Sequence, residues 1–168
     1  MSTETTGLVK YEAACTALSA ATTVDEAKDI SDKSAALQAY AKQSKNLELE
    51  RMAAKIRLRA KRRIGEISST MEKSKGGANP EATLPNNGKS KTEALKNAGI
   101  STSEAHRCEK LAQVPEAEFD EYLAKSDSQG KTVSSDEAMK RVTKKVSRAE
   151  KIEKISKKLL ELGYQKQN

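Results

Sequence analysis

The sequence predicts an all-α protein, and three observations carry that expectation. Apolar residues recur at steps of three and four through several long stretches. No segment alternates apolar and polar residues in the manner of a half-buried strand. Pairs of the type Ser/Thr-x-x-Glu stand at the starts of the apolar runs, where they cap helices. Composition agrees: 36 % hydrophobic, 33 % charged and 3 % aromatic residues favour small helical cores over one large one.

Residues 8–20 form the first expected helix, with Leu8, Tyr11, Cys15 and Leu18 on one stripe. Thr22 and Thr23 interrupt it. Thr23 then caps a second helix, with Glu26 completing a capping box. Ala27, Ile30, Ala35, Leu37 and Ala41 carry that helix to about Gln43. A third helix runs from about Leu47 to Glu72 along Leu49, Ala53, Ile56, Ala60, Ile64, Ile67 and Met71. Its length and near-heptad spacing suit pairing with a partner helix. Arg51, Lys55, Arg59 and Arg62 make a parallel basic row, joined by Arg57, Lys61 and Arg63. That row suits a solvated or dimer-flanking face as well as it suits nucleic-acid contact. Residues 8–73 therefore read as a helical dimerisation or partner-binding region with coiled-coil character.

Residues 74–88 are dominated by Gly, Pro, Asn and Ser and read as a flexible linker. A trihelical unit follows at 89–125. Ser90 with Glu93 caps its first helix, and Ser101 with Glu104 caps the second. The second ends near Gln113, because Pro115 disfavours helical geometry at Val114. Pro115 opens the third helix, 115–125, whose Phe119, Tyr122 and Leu123 would cover the other two. Ser134 with Glu137 caps a last, basic amphipathic helix at 135–163, ended by Gly163. Between residues 140 and 158 it holds nine Lys or Arg and two Glu, so its polar side is strongly cationic.

The stretch 90–113, SKTEALKNAGISTSEAHRCEKLAQ, has helix-turn-helix spacing. Leu95, Gly99, Ile100, Ala105 and Cys108 fall where such a unit needs small or apolar residues. The helix 102–113 would then enter a DNA major groove by its N-terminal residues Ser101, Thr102, Ser103, His106 and Arg107. Arg107 is the expected base reader, since a guanidinium offers two parallel donors to guanine; its alternative is an ion pair with Glu104 or Glu109. His106 is either a second donor or a solvated surface residue. Thr102 and Ser103 suit phosphate contacts. Backbone contacts are assigned to Lys89, Lys91 and Lys110, and to Lys144, Lys145 and Arg148 of the basic helix.

Charge supports an anionic partner. The net charge is +7, and residues 46–75 and 140–168 contribute +5 and +7 around a slightly acidic centre. The scarcity of aromatic rings argues against recognition by base stacking. Cys15 and Cys108 lack metal-ligand spacing and read as reduced, small core residues. Neither a metal nor another cofactor is expected. GGANP at 76–80 lacks the Lys and Ser/Thr of a phosphate loop, and no acidic cluster suits a nuclease metal, so an enzyme is not expected. No apolar run suits a signal peptide or membrane span, which points to the cytoplasm.

Two segments, IRLRAKRRIGEI at 56–67 and LKNAGISTSEAHRCEKLAQVPEAEFDEYLA at 95–124, resemble small proteins of phages, prophages and other mobile elements. Those proteins pair an Ala- and Arg-rich helical region with a helix-turn-helix of the general partition-protein type. The resemblance covers roughly residues 24–125 and implies a DNA-binding, regulatory role read out by Ser101, Thr102, Ser103, His106 and Arg107. It departs at Cys108, where comparable members often carry an aromatic residue. Nucleotide binding is not carried over. The expected partner is double-stranded DNA, bound by a homodimer. The alternatives are an accessory factor that binds a phage or host protein, and a non-specific nucleic-acid binder used in replication, partition or packaging.

Overall fold

The computed structural model describes residues 3–71, 91–140, 152 and 154–158, and among them it contains helices and no strand. The expected linker 74–88, the Ser90 cap, Lys89, Lys144, Lys145, Arg148 and Gly163 lie outside the described residues. Six helices are ordered α1 (Thr3–Ala20), α2 (Val24–Gln43), α3 (Leu47–Thr70), α4 (Lys91–Asn97), α5 (Thr102–Ala112) and α6 (Glu116–Ser128) among the described residues. Residues 135–140 and 154–158 are also helical. No described helix is long and apolar enough to cross a membrane.

Local chemistry sets the helix ends. Thr23 closes the expected capping box: its hydroxyl accepts from the Glu26 amide, and the Glu26 carboxylate accepts from the Thr22 and Thr23 amides at 2.8 and 3.2 Å. Those two amides hold the Glu26 carboxyl below its ordinary pKa. Asn46 caps α3 by accepting from the Leu49 amide at 3.0 Å. Between α2 and α3, Lys45 takes a left-handed φ of 56°. The Asn46 amide then reaches back to the Ala41 carbonyl at 2.9 Å, a Schellman closure built without glycine. α1 begins at Thr3, ahead of the expected residue 8, because its first polar turns offer no apolar register to betray them. α6 starts at Glu116 with Pro115 as its cap. The Pro115 carbonyl accepts from the amides of Glu118 and Phe119, so the proline sits one residue before the helix and not at its first position.

α3 is the axis of the molecule. Against α1 and α2 it buries Ile56 and Ala60 beside Leu18, with Tyr11, Ala14 and Ile30 at the edge. Its C-terminal half contributes Ile64 and Ile67 to a core shared with Ala21, Val24, Ala27, Leu95, Ile100, Ala105 and Cys108. Its N-terminal half contributes Ala54 and Leu58 to a core with Leu111, Val114, Phe119, Tyr122, Leu123, Val133 and Ala138. The apolar line expected to meet a partner helix is therefore consumed inside the chain: Ala53, Ile56, Ala60, Ile64 and Ile67 are all buried. The same packing crosses the boundary expected between the N-terminal region 8–73 and the trihelical unit 89–125. Phe119, Tyr122 and Leu123 pack on α3 and the end of α5, and Leu95 of α4 belongs to a different core.

The basic row of α3 is also largely spent internally. Lys55 pairs with Asp127 at 2.9 Å and stands 5.1 Å from the Tyr11 ring centre. Arg59 pairs with Asp120 at 2.9 Å and donates to the Tyr11 hydroxyl at 3.1 Å. Arg59 and Arg62 lie over the Phe119 ring at 5.7 and 4.9 Å. Arg62 and Arg63 share Glu66, and Arg63 also donates to the carbonyl of Ala21. That last bond satisfies an acceptor just beyond α1, where a cation is favoured. All four residues are thus engaged by partners within the chain. The Tyr122 hydroxyl, finally, donates to the Ser134 carbonyl and accepts from its amide at 3.2 and 3.0 Å, which clips residues 131–134 onto α6.

Candidate nucleic-acid interface

The geometry of α5 begins at its entry turn. Gly99 takes a left-handed φ of 68°, and the Ile100 amide reaches the Leu95 carbonyl at 2.8 Å. This closes α4 in a conformation that favours glycine. Ile100 is thereby turned into the core, and Ser101 becomes the cap of α5, accepting from the Glu104 amide at 3.2 Å. Ala105, Cys108 and Leu111, at steps of three, face inward and are buried.

Two devices fix α5 on α3. At the crossing, Gly65 lies so close to α5 that a Cβ there would stand 2.0 Å from the Cys108 carbonyl oxygen. A few residues along, the fully buried Ser68 donates to Glu109 at 2.7 Å, and the Lys91 ammonium pairs with the same carboxylate oxygen. One carboxylate thus ties α5 to both α3 and α4. Lys91, expected among the phosphate contacts, is here 11 % exposed and paired with Glu109.

The outer face of α5 is polar and open. Ser101, Thr102, Ser103, His106, Arg107, Lys110 and Gln113 are exposed. The ion-pair alternative for Arg107 is not realised among the described residues, since no salt bridge joins it to Glu104 or Glu109. Its guanidinium is available to an outside ligand. The expected reader residues do not all share one outlook, however. Ser101, Ser103 and Arg107 line a cavity of about 310 Å³ with Lys61, Glu104, Cys108, Leu111 and Ser135, whereas Thr102, His106 and Lys110 stand away from it. An adjoining cavity of about 220 Å³ is bounded by Gln38, Ala54, Arg57, Leu58, Lys61, Val133, Ser134 and Ser135.

Comparison with protein-family models, curated proteins and solved structures returned no match.

Arg57 and Lys61 were legible only as further members of the basic row, and what distinguishes them is position. They share one face of α3 at i, i+4 spacing and look away from the carboxylates of α6. No His, Cys, Asp and Glu group of three or more able to hold a metal occurs among the described residues.

Both cysteines are free thiols, Cys108 buried and Cys15 partly buried. Burial, seconded by the nearby charge of Glu104, pushes the Cys108 thiol up to about 11. At neutral pH one thiol, Cys15, is expected to react with a disulfide reagent in the folded protein, and Cys108 only on global unfolding. Time-resolved thiol titration with and without denaturant reads this directly. Two equally fast thiols would mean that α5 opens readily from α3.

Proposed function

We propose that this chain is a sequence-specific DNA-binding protein, a regulator of a phage or mobile element, that reads the major groove with α5. In this reading α4, the Gly99 turn and α5 act as a helix-turn-helix. The observation that carries it is the combination of an open face bearing Ser101, Thr102, Ser103, His106, Arg107 and Lys110 with a reverse face locked to α3. A reading helix needs both properties: donors facing the groove, and a rigid mount that spends no binding energy on ordering. Arg107 reads a base, and Lys110 and the serine hydroxyls hold phosphates. A homodimer would present two copies of α5 to half-sites about one helical turn apart. Leu37, Tyr40 and Leu47, exposed near the α2–α3 turn, offer an apolar surface for that pairing, as do the exposed Ile152 and Ile155.

The test is selection from a pool of random duplexes, followed by fluorescence anisotropy on the enriched site. Wild type should recover a motif. Arg107→Ala should bind the best site more weakly by about 1–3 kcal/mol and lose preference at one base position. No enriched motif with wild type, together with weak binding unchanged in Arg107→Ala, would end this reading and direct attention to a protein partner.

A further inference from the structure

Two cations of α3 line the adjoining cavities without a carboxylate partner. Elsewhere on α3, Lys55, Arg59, Arg62 and Arg63 each meet a carboxylate. Arg57 and Lys61 do not: neither forms a salt bridge among the described residues, and the buried Nε of Arg57, like Nη1 of Arg62, has no hydrogen-bond partner there. An unsatisfied buried donor is costly unless a ligand or water completes it. Among the described residues the smaller cavity is lined by no carboxylate. Its polar wall is Arg57, Lys61, Gln38, Ser134 and Ser135, and its apolar wall is Ala54, Leu58 and Val133. Its volume of about 220 Å³ equals the share of about seven waters, enough for a phosphoryl group with part of its hydration shell. Lys61 and Ser135 also line the larger cavity, where Ser101, Ser103 and Arg107 stand and Glu104 is the one carboxylate among the described residues.

We infer that this cleft is a phosphate-binding site, with Arg57 and Lys61 as the charge-bearing donors and Ser134 and Ser135 as hydroxyl donors. The fit is chemical. A phosphoryl group is a multivalent acceptor without donors of its own when ionised, and guanidinium, ammonium and hydroxyl groups supply donors to match it. Glu104 places the anion in the smaller cavity, away from α5. Arg107 then sits on the far side of Lys61, so an occupied cleft borders the residue proposed to read a base. The phosphate is either a backbone phosphate of bound DNA or part of a free phosphorylated small molecule. The first source rests on the DNA-binding reading, and the second does not.

The experiment uses the full chain, labelled with ¹⁵N and titrated with inorganic pyrophosphate at constant ionic strength, alongside DNA binding as a function of salt. Amide shifts that saturate and cluster at Arg57, Lys61, Ser134 and Ser135 are the expected result. Lys61→Gln should weaken pyrophosphate at least tenfold, Lys61→Arg should restore most of the affinity, and Lys42→Gln, on the exposed end of α2, should change nothing. Preserved amide dispersion verifies that each variant is folded. A DNA salt slope reduced by about one in Lys61→Gln identifies a backbone phosphate, with or without pyrophosphate binding. Pyrophosphate binding that depends on Lys61, with an unchanged DNA slope or no DNA binding, identifies a free phosphorylated ligand. Two results overturn the inference, each with a DNA slope that Lys61→Gln leaves unaltered or with no DNA binding: pyrophosphate shifts that survive Lys61→Gln, or no saturable shift.

Discussion

Replacing Gly65 by alanine is expected to destabilise the protein by about 3 kcal/mol or more, the upper end of overpacking costs. The added Cβ would lie 2.0 Å from the Cys108 carbonyl oxygen, 2.3 Å from its carbonyl carbon and 2.8 Å from the Glu109 nitrogen. All three atoms are backbone, so no rotamer change relieves the collision. α5 must move away from α3, and Ile64, Ile67, Ala105 and Cys108 lose their packing as it does. Gly99→Ala is the control. Nothing stands within 4 Å of a Cβ there, and its cost is confined to the left-handed φ, about 1–2 kcal/mol. Chemical denaturation compares the two directly. An equal or smaller loss for Gly65→Ala would mean that the helices do not cross at this point.

Phe119→Ala should cost a comparable 3–5 kcal/mol. Phe119 is 1 % exposed and is the largest fully buried side chain among the described residues. Its ring is the floor on which the Arg59 and Arg62 guanidiniums rest, and each such contact contributes about 0.5–1 kcal/mol at a partly exposed site. Truncation leaves a cavity between α3, α5 and α6 and takes the apolar support from two cations at once. Phe119→Leu keeps most of the volume and should lose roughly 1–2 kcal/mol. A Phe119→Ala loss no greater than that of Phe119→Leu, measured by urea denaturation, would show that α6 is not packed through this ring.

The features legible in the sequence were those governed by neighbours along the chain. Thr23 and Glu26, or Ser101 and Glu104, announce a helix start within three residues, and the Gly99 turn declares itself by a single residue type. Inward positions of α5 followed from their spacing for the same reason. What escaped was set by residues far apart in the chain. Gly65 within RRIGEIS reads as a small propensity cost until a second helix is laid across it. Arg59 at i, i+4 spacing looks the same whether it faces water, DNA or Asp120, whose partnership spans 61 residues. Lys91 stood at the entry of a proposed reading unit, and only the position of Glu109 shows it to be an internal clasp. Arg57 and Lys61 were indistinguishable from their neighbours because the wall opposite them comes from residues 133–135.

The crossing at Gly65 also bears on how such a chain can be inherited. A reading helix mounted on a self-contained unit is a cassette, and it can be exchanged between proteins by recombination in the connecting segment. Here the carbonyl of Cys108 needs a glycine in α3, and the carboxylate of Glu109 needs a serine three residues further on. A donor α5 brought in without its own α3 would meet a side chain at the first position and lose a partner at the second. On the DNA-binding reading proposed above, new specificity would be reached by substitution on the outer face of α5, with residues 47–70 and 91–112 passed on as one piece.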